Sequence, residues 1–550
     1  MSQFRLGFAR LGFKKDVDRL LEEAQSKQGL AKTLGAKDLI VLGVAGIIGA
    51  GIFVLIGQGI AAAGAGVVPA FVVAALICAV AGYAYAELAS TIPASGSAYA
   101  YIYTAMGELP GWMVAWALIL EYAVGAITVA VGWRNNLLAL INQFKDSDPT
   151  TDIFANPQNY WWTHSILETA TSGAETLRGV IDIPAAVIVL LCTLLLVRGT
   201  KESAKFTFVL VIIKVAILLL AIVGGFLAFN AANFDDPLPH SLADDPNTLA
   251  LNDAVQLDDA RSFFGAFSAI MAAAAIMFFA YIGFDSVSTT AEETRNPKKD
   301  LPKGILGSLF ITTALYIIAA VALVSASHWT DYVGTSTAAA NARGEPFGYV
   351  FEKTGFLCIG DTEGEGCGGL ALGALLVRIG ALVGTTSVLL VLILGGVRVF
   401  FNMSRDGLLP GWMSRVSARG SPALTTLLYG SVTAAGGLLL NQEFAVNLVN
   451  IGTLFAFLMV ILAVWVFRIR RPDIERPFRM PMWNVITTRN GKPALPLLTI
   501  LGSVGVVGLI LSLDAFTLFV SIAWAGLGFL VYAFYGVRNS KEAAERFKGK

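Results

Sequence analysis

Charge is what this sequence has least of. Asp, Glu, Lys and Arg make up 14% of its 550 residues, where an ordinary soluble domain carries about 25%. So few ions cannot cover a water-soluble protein of this size, and that class is excluded. Histidine is rarer still: His164, His240 and His328 are the three in the chain, all in stretches read as loops. Neither a metal-ligand cluster nor imidazole catalysis is expected. No glycine loop closing on Lys-Ser or Lys-Thr is present, which excludes a nucleotide-driven machine of that type. There is no basic patch suited to nucleic acid, and the formal net charge is zero. No enzymatic chemistry and no cofactor are expected. The first 37 residues are polar and basic without a short apolar core, so a cleavable signal peptide is not expected.

Hydrocarbon is abundant instead. Apolar side chains are 56% of the chain and the mean hydropathy is +0.69. The apolar residues run in stretches of about 20, the length of helix that crosses a bilayer. Twelve spans are read, at about 38–62, 67–92, 111–133, 182–200, 206–229, 262–285, 304–327, 370–402, 422–440, 445–468, 494–513 and 515–537. The fold class is an all-α integral membrane protein. Its expected organisation is an N-terminal segment 1–37, spans one to five in 38–229, spans six to ten in 262–468, two further spans in 494–537 and a tail 538–550. Residues 1–37 interleave Phe4, Leu6, Phe8, Leu11 and Phe13 with Arg5, Arg10, Lys14 and Lys15. That stretch either lies on an anionic leaflet as an amphipathic helix or is a solvated tail. Pro93 to Pro110 reads as a loop helix at the membrane surface.

The zero net charge conceals segregation. With the N-terminus inside, the inside segments hold about 31 Lys and Arg and the outside loops about six. The outside loops instead collect acids, as in Asp235-Asp236, Asp244-Asp245 and Asp258-Asp259. Both termini are therefore expected in the cytoplasm, in a multi-pass protein of the plasma membrane. Cys358 and Cys367 fall in one outside loop, where an oxidising compartment makes a disulfide plausible and a free pair is the alternative. Cys78 and Cys192 read as small apolar residues within spans.

A charge at the centre of a spanning helix costs about 2.5–3.5 kcal/mol on insertion scales. Lys214 and Arg378 are the basic residues within spans, and Glu87, Glu121 and Asp285 the clear acids. Lys214 either snorkels to the cytoplasmic interface or is a buried ammonium near a broken helix. Glu121 is a proton-site candidate, and Glu87 reads as a gate or interface residue. Arg378 either pairs with an acid or biases the outer vestibule toward anions. The first span carries Gly46, Gly49 and Gly51 within six residues, which costs a helix roughly 1 kcal/mol each. This is either a broken helix offering backbone groups to a ligand at mid-membrane or a close helix crossing. The sixth span has a matching irregularity at Phe278-Phe279-Ala280-Tyr281-Ile282-Gly283-Phe284-Asp285 and starts from the opposite side, as an inverted repeat requires.

Several stretches together resemble the amino acid–polyamine–organocation superfamily, in its cationic amino acid transporter branch and of the bacterial twelve-span type. They are Leu34-Gly-Ala-Lys-Asp-Leu-Ile with Gly49-Ala-Gly-Ile-Phe-Val, Tyr83-Ala-Tyr-Ala-Glu87 with Ile92-Pro-Ala-Ser-Gly-Ser-Ala-Tyr, the Phe278–Asp285 run, Glu292-Glu-Thr-Arg-Asn-Pro297 and Met403-Ser-Arg-Asp-Gly-Leu-Leu-Pro410. The resemblance implies a LeuT-type five-plus-five inverted repeat with helices one and six broken, followed by two more helices. It implies an amino acid permease that is proton-coupled and sodium-independent, whose partners are the amino acid, protons and membrane lipid. An amino acid or amine antiporter is the alternative within transport, and a non-transporting membrane receptor the alternative outside it. By the resemblance, a substrate carboxylate would meet the N–H groups of Ala50 and Gly51. Its ammonium would meet carbonyls of Ile47, Phe279, Ala280 and Ile282, with Phe284 as the outer aromatic lid. Lys214 would replace a sodium ion, with Thr386 and Ser387 as neighbours, and Glu121 matches a glutamate of the family. Arg378 departs from the pattern and puts a preference for cationic side chains in doubt.

Overall fold

The computed structural model describes residues 34–92, 96–143, 161–172, 175–198, 200–234, 263–333, 337–360, 367, 370–417, 422–481, 484–487, 491, 493–513 and 515–541. The amphipathic reading of the N-terminal segment, the acidic loop residues from Asp235 to Asp259, and His240 lie outside them. Helices dominate: α1 Ala36–Ile47, α2 Ile56–Ala63, α3 Val67–Thr91, α4 Ser97–Ala105, α5 Glu108–Asn142, α6 Ile183–Arg198, α7 Thr200–Leu227, α8 Phe263–Phe278, α9 Pro297–Ala326, α10 Thr337–Gly344, α11 Pro346–Thr354, α12 Leu372–Arg405, α13 Ala423–Leu439, α14 Gln442–Arg470, α15 Leu497–Leu511 and α16 Ala515–Val531. Among the described residues, strands form two-stranded hairpins in the connections, at Thr169–Ser172 with Glu175–Arg178, Cys358–Ile359 with Leu370–Ala371, and Asn484–Thr487 with Pro493–Pro496.

Among the described residues, eight segments are long and apolar enough to cross a membrane, by length and composition, and three shorter apolar helices (α6, α13 and α15) accompany them. Burial sorts these segments into centre and rim. The most apolar windows of Ala36–Thr91 and Glu108–Ile141 are 83% and 89% buried, against 17% for Ala515–Asn539. The centre is therefore α1, α2, α3 and α5, with α12 and α14 packed along α5 and α9 along α3 and α1. The rim helix α16 is held by paired indoles, Trp116 Nε1–H donating to Trp524 O at 2.9 Å and Trp524 Nε1–H to Trp116 O at 3.2 Å.

Helix α4, the loop helix expected between the second and third spans, is buried throughout, with Tyr99, Tyr101 and Tyr103 inside the protein. Two of its phenols find protein acceptors, Tyr99 on Asp406 at 2.7 Å and Tyr103 on Glu108 at 2.6 Å, which offsets the cost of burying them. Helix α5 also outruns the expected 111–133. Its last turns carry Arg134, Asn135 and Asn136, polar residues that end a hydropathy run. Here Arg134 pairs with Glu168 and Asp182 and Asn136 bonds Gly132 O, so the helix continues.

Candidate functional site

The site is built on two helix interruptions that touch. Helix α1 stops at Ile47 because Ile48 turns extended (φ −71°, ψ 108°), and helical backbone resumes at Ala50. Gly51–Leu55 then forms a widened π turn before α2. The first N–H groups of the resumed helix have no acceptor within it. They sit where the helix dipole is positive, a ready seat for a carboxylate. In the second interruption α8 ends at Phe278, tightens into a 3-10 turn Phe279–Tyr281, and breaks at Ile282 (ψ 136°) and Gly283 (φ +119°). A 3-10 segment Phe284–Glu293 follows.

Glycine lets these breaks meet backbone to backbone. A Cβ on Gly51 would lie 2.3 Å from Ala280 Cα, and one on Gly283 would lie 2.6 Å from Gly46 O. The crossing thus gathers Ile47, Ala50, Gly51, Phe279, Ala280 and Ile282, all buried. Two of the carbonyls expected to face an ammonium already accept protein donors. Ile47 O takes the Tyr316 hydroxyl at 2.8 Å, and Phe279 O takes the Ile282 N–H at 3.1 Å. Each carbonyl oxygen keeps a second lone pair. The wall opposite is aliphatic: Val388 and Val391 of α12 stand against Gly49 and Gly46.

Phe284 does not stand outside the breaks. The sixth segment ends at Glu293 beside Leu34, where α1 begins, so residues after Gly283 lie toward that face. Phe284 packs there on Phe457 and Tyr85, with ring centroids 5.1 and 5.9 Å away. The aromatic pair on the opposite side of the crossing is Phe53 with Phe347, 6.5 Å apart and edge to face.

Lys214 is fully buried, and its ammonium donates to Ala45 O at 2.8 Å, Ile48 O at 2.7 Å and Ser387 Oγ at 2.9 Å. Three donors meet three acceptors, two of them at the carbonyl end of α1, where the dipole favours a cation. Thr386 is not part of this cage; its hydroxyl bonds Leu382 O on its own helix at 2.7 Å. Toward the face that carries Leu34 and Glu293 lies a carboxyl pair. The Tyr122 hydroxyl donates to Asp285 Oδ2, while Asp285 Oδ1 and both oxygens of Glu121 are buried without a hydrogen bond. Beside Glu121, the Thr453 hydroxyl turns to Val449 O at 3.1 Å.

The remaining charges are structural ties. Glu87 accepts from Arg468 Nε at 2.8 Å and Nη2 at 2.5 Å, and from Met480 N–H at 2.8 Å. Arg378 is paired rather than free: its guanidinium grips Glu345 with Nε and Nη2 (2.5 and 2.8 Å) and sends Nη1 to Glu352 at 2.6 Å. It therefore presents no net positive charge to the crossing. Cys358 and Cys367 form a disulfide, with Cα atoms 5.6 Å apart. Among the described residues no group of three or more His, Cys, Asp or Glu side chains could hold a metal ion. Sequence reasoning missed Tyr122, Tyr316, Val388 and Val391. A lone phenol at span depth was the available signal for the two tyrosines; the valines gave none.

Broken, apposed helices within a bundle of apolar spans define a multi-pass membrane transport protein. A family model described as amino acid permease matches residues 34–522, and the chain belongs to that family, within the amino acid–polyamine–organocation superfamily. It is an amino acid transporter. It is 35% identical over 529 residues to the branched-chain amino acid permease BcaP of Bacillus subtilis (strain 168), covering 96% of this chain and 98% of the relative. A methylthioribose transporter of the same organism is 34% identical over 532 residues, with the same coverage. The vacuolar cationic amino acid transporter 4 of Arabidopsis thaliana is 31% identical over 467 residues, 84% of this chain and 67% of the relative.

Proposed function

We propose that this chain is a secondary active permease for a neutral aliphatic amino acid, coupled to protons and independent of sodium. The observation that carries it is the Lys214 ammonium fixed on Ala45 O, Ile48 O and Ser387 Oγ. The protein's own ammonium occupies the carbonyl end of the broken helix, so no metal ion is needed to hold the break together. Moving the proton on or off Lys214 would loosen or tighten α1 against α7 and α12, and Glu121 with Asp285 is the second candidate proton carrier. In this reading the substrate carboxylate binds the N–H groups of Ala50 and Gly51, and its ammonium the carbonyls of Ile47, Phe279, Ala280 and Ile282. Its side chain faces Val388 and Val391. The aliphatic wall and the neutralised Arg378 favour a small branched or linear apolar side chain over a cationic one, in keeping with two relatives named branched-chain amino acid permease.

The same reading takes the twelve spans as two five-helix inverted repeats, 38–229 and 262–468, with 494–537 outside them. Alternating access is then the rocking of one set of helices about the crossing. An exchanger of amino acids would keep this geometry but not concentrate substrate on a pH gradient alone.

The test is uptake into proteoliposomes under an imposed pH gradient, with Val, Leu, Ala, Arg, Glu and methylthioribose as substrates or competitors. Saturable uptake of aliphatic amino acids, unchanged when K⁺ replaces Na⁺, is the expected result. Loss of uptake without Na⁺ would overturn the coupling. Arg or methylthioribose as the preferred substrate would overturn the assigned side-chain class. Binding without flux would point to a receptor.

A further inference from the structure

The connection that leads into α6 is built inside out. Its polar side chains turn inward: Thr163, Ser165 and Asp182 are fully buried. So do its acids, since Arg134 in the last turns of α5 takes Glu168 at 2.9 Å and Asp182 at 3.3 Å. Its apolar side chains turn outward. Across 161–168 and 178–183 the exposed residues are Trp161, Ile166, Leu167, Val180 and Ile183, between 37% and 59% exposed, together with Arg178. The connection at 328–333 has the ordinary polarity, with Trp329 and Tyr332 buried and Thr330 exposed. Water favours that second arrangement and opposes the first. Backbone pairing makes the outward residues one patch. The N–H groups of Val180 and Ile181 both donate to Trp161 O, at 3.0 and 2.9 Å, and Ser165 bridges Val180, which brings Ile166 and Leu167 beside them. A Cβ on Gly179 would lie 2.2 Å from Ser165 O, so the two lengths of chain press together.

We propose that residues 161–168 and 178–183 form a membrane-interface anchor whose partner is the phospholipid bilayer. Trp161, Ile166, Leu167 and Val180 enter the boundary between headgroups and acyl chains, and Arg178 meets lipid phosphate. Three observations select lipid over a second protein. The patch runs on into α6, where Ile183, Val187, Leu190, Leu191 and Leu194 are exposed at intervals of three or four residues, one stripe of an apolar helix that a bilayer covers. A protein interface carries a polar rim, whereas here the polar groups point the other way and the acids are neutralised by Arg134. Tryptophan and arginine side chains, apolar in body and polar at the tip, are also the ones that suit a membrane–water boundary. The anchor is tied to the core through Arg134, so the bilayer fixes the ends of α5 and α6 together. This contact does not depend on which solute is carried.

The experiment measures depth directly. Leu167→Cys, Arg178→Cys, Leu191→Cys and Thr330→Cys are each labelled with a maleimide nitroxide in the full chain, in nanodiscs of phosphatidylcholine and phosphatidylglycerol. All four positions are exposed, so each variant is expected to fold. The parent, whose Cys78 and Cys192 are buried and whose other two cysteines form the disulfide, supplies the background. Collision with oxygen, which concentrates in hydrocarbon, is compared with collision with a water-soluble nickel complex. An interfacial apolar face sits about 5–10 Å into the headgroup and acyl boundary, so the oxygen-to-nickel ratio at Leu167→Cys is expected to exceed that at Thr330→Cys roughly fivefold or more and to approach that at Leu191→Cys. Arg178→Cys is expected to lie between. A ratio at Leu167→Cys equal to that at Thr330→Cys would put the patch in water and overturn the anchor. Shielding of Leu167→Cys from both reagents, or spin–spin broadening from a second copy, would put protein on the patch and overturn it as well. A ratio at Arg178→Cys as high as that at Leu191→Cys would overturn the contact with lipid phosphate.

Discussion

A single methyl group separates a working crossing from a blocked one at Gly51. Its Cβ would sit 2.3 Å from Ala280 Cα and 2.3 Å from Ala280 Cβ, and backbone cannot retreat as a flexible side chain can. Gly51→Ala is expected to cost roughly 1–3 kcal/mol as an overpacking strain and to abolish the thermal shift given by substrate; a retained shift would mean that the N–H groups here do not bind it. Lys214 is the other decisive residue. Lys214→Met keeps length and burial while removing the cation, so the protein is expected to fold and bind but to lose proton-driven uptake. Ser387→Ala removes one of three acceptors and is expected to cost about 1–3 kcal/mol, read as a lower Tm with reduced but measurable uptake. Unaltered pH-gradient uptake in Lys214→Met would end the coupling role. Both residues were legible in the sequence for the same reason: a glycine cluster and a lone lysine are each costly inside an apolar span, so each signals a partner elsewhere. The partner itself was not legible. Ser387 could be named only by resemblance, its neighbour Thr386 was named with it, and one helical position separates the hydroxyl that meets Lys214 from the one that bonds its own helix.

At the scale of elements, what could be read was whatever a segment's own pattern dictates. The second break is visible because Gly283 and Asp285 interrupt one apolar run, and the structure breaks there at φ +119°. Contacts between distant segments were invisible. Tyr122 and Asp285 lie 163 residues apart, and α4 read as a surface helix because its tyrosines and serines suit an interface as well as a buried network. Arg378 stood out as an anomaly, but its acids, Glu345 at the N-cap of α11 and Glu352 within it, lie in a connection between spans where no hydropathy pattern points to them. Burial, opposed by Arg378 and reinforced by the like charge of Glu352, pushes Glu345 up to about 7 from an ordinary 4.5, so this packing takes up a proton and loses that part of its stability as pH rises through about 7. Glu345→Gln, which mimics the protonated acid, should flatten the fall of Tm between about pH 5 and about pH 8, and an unchanged slope would assign the effect to another group.

The whole molecule has two chemically different faces, and the structure joins each one internally. On one face Leu34 pairs with Glu293, Arg398 with Glu293, Arg468 with Glu87, Arg470 with Ala105 O, and the Lys541 N–H with Asp406 O. Arg398, Arg468, Arg470 and Lys541 thus share this face. The other face holds the disulfide, the Arg378 pairing with Glu345, the Arg134 pairing with Glu168 and Asp182, and the Lys353–Asp331 pair. Cytoplasmic loops are enriched in Lys and Arg, and disulfides persist on the oxidising side. The two rules are independent, one concerning insertion and the other redox chemistry, and from both we propose that the Leu34 face is the cytoplasmic one. Two exposed positions separate the faces: Ala232, which follows α7 beside Ser325, and Val416, which follows α12. Ala232→Cys is expected to react with a membrane-impermeant maleimide in intact cells, and Val416→Cys only after the membrane is permeabilised. The reverse pattern would overturn this orientation and place the Cys358–Cys367 disulfide on the cytoplasmic side.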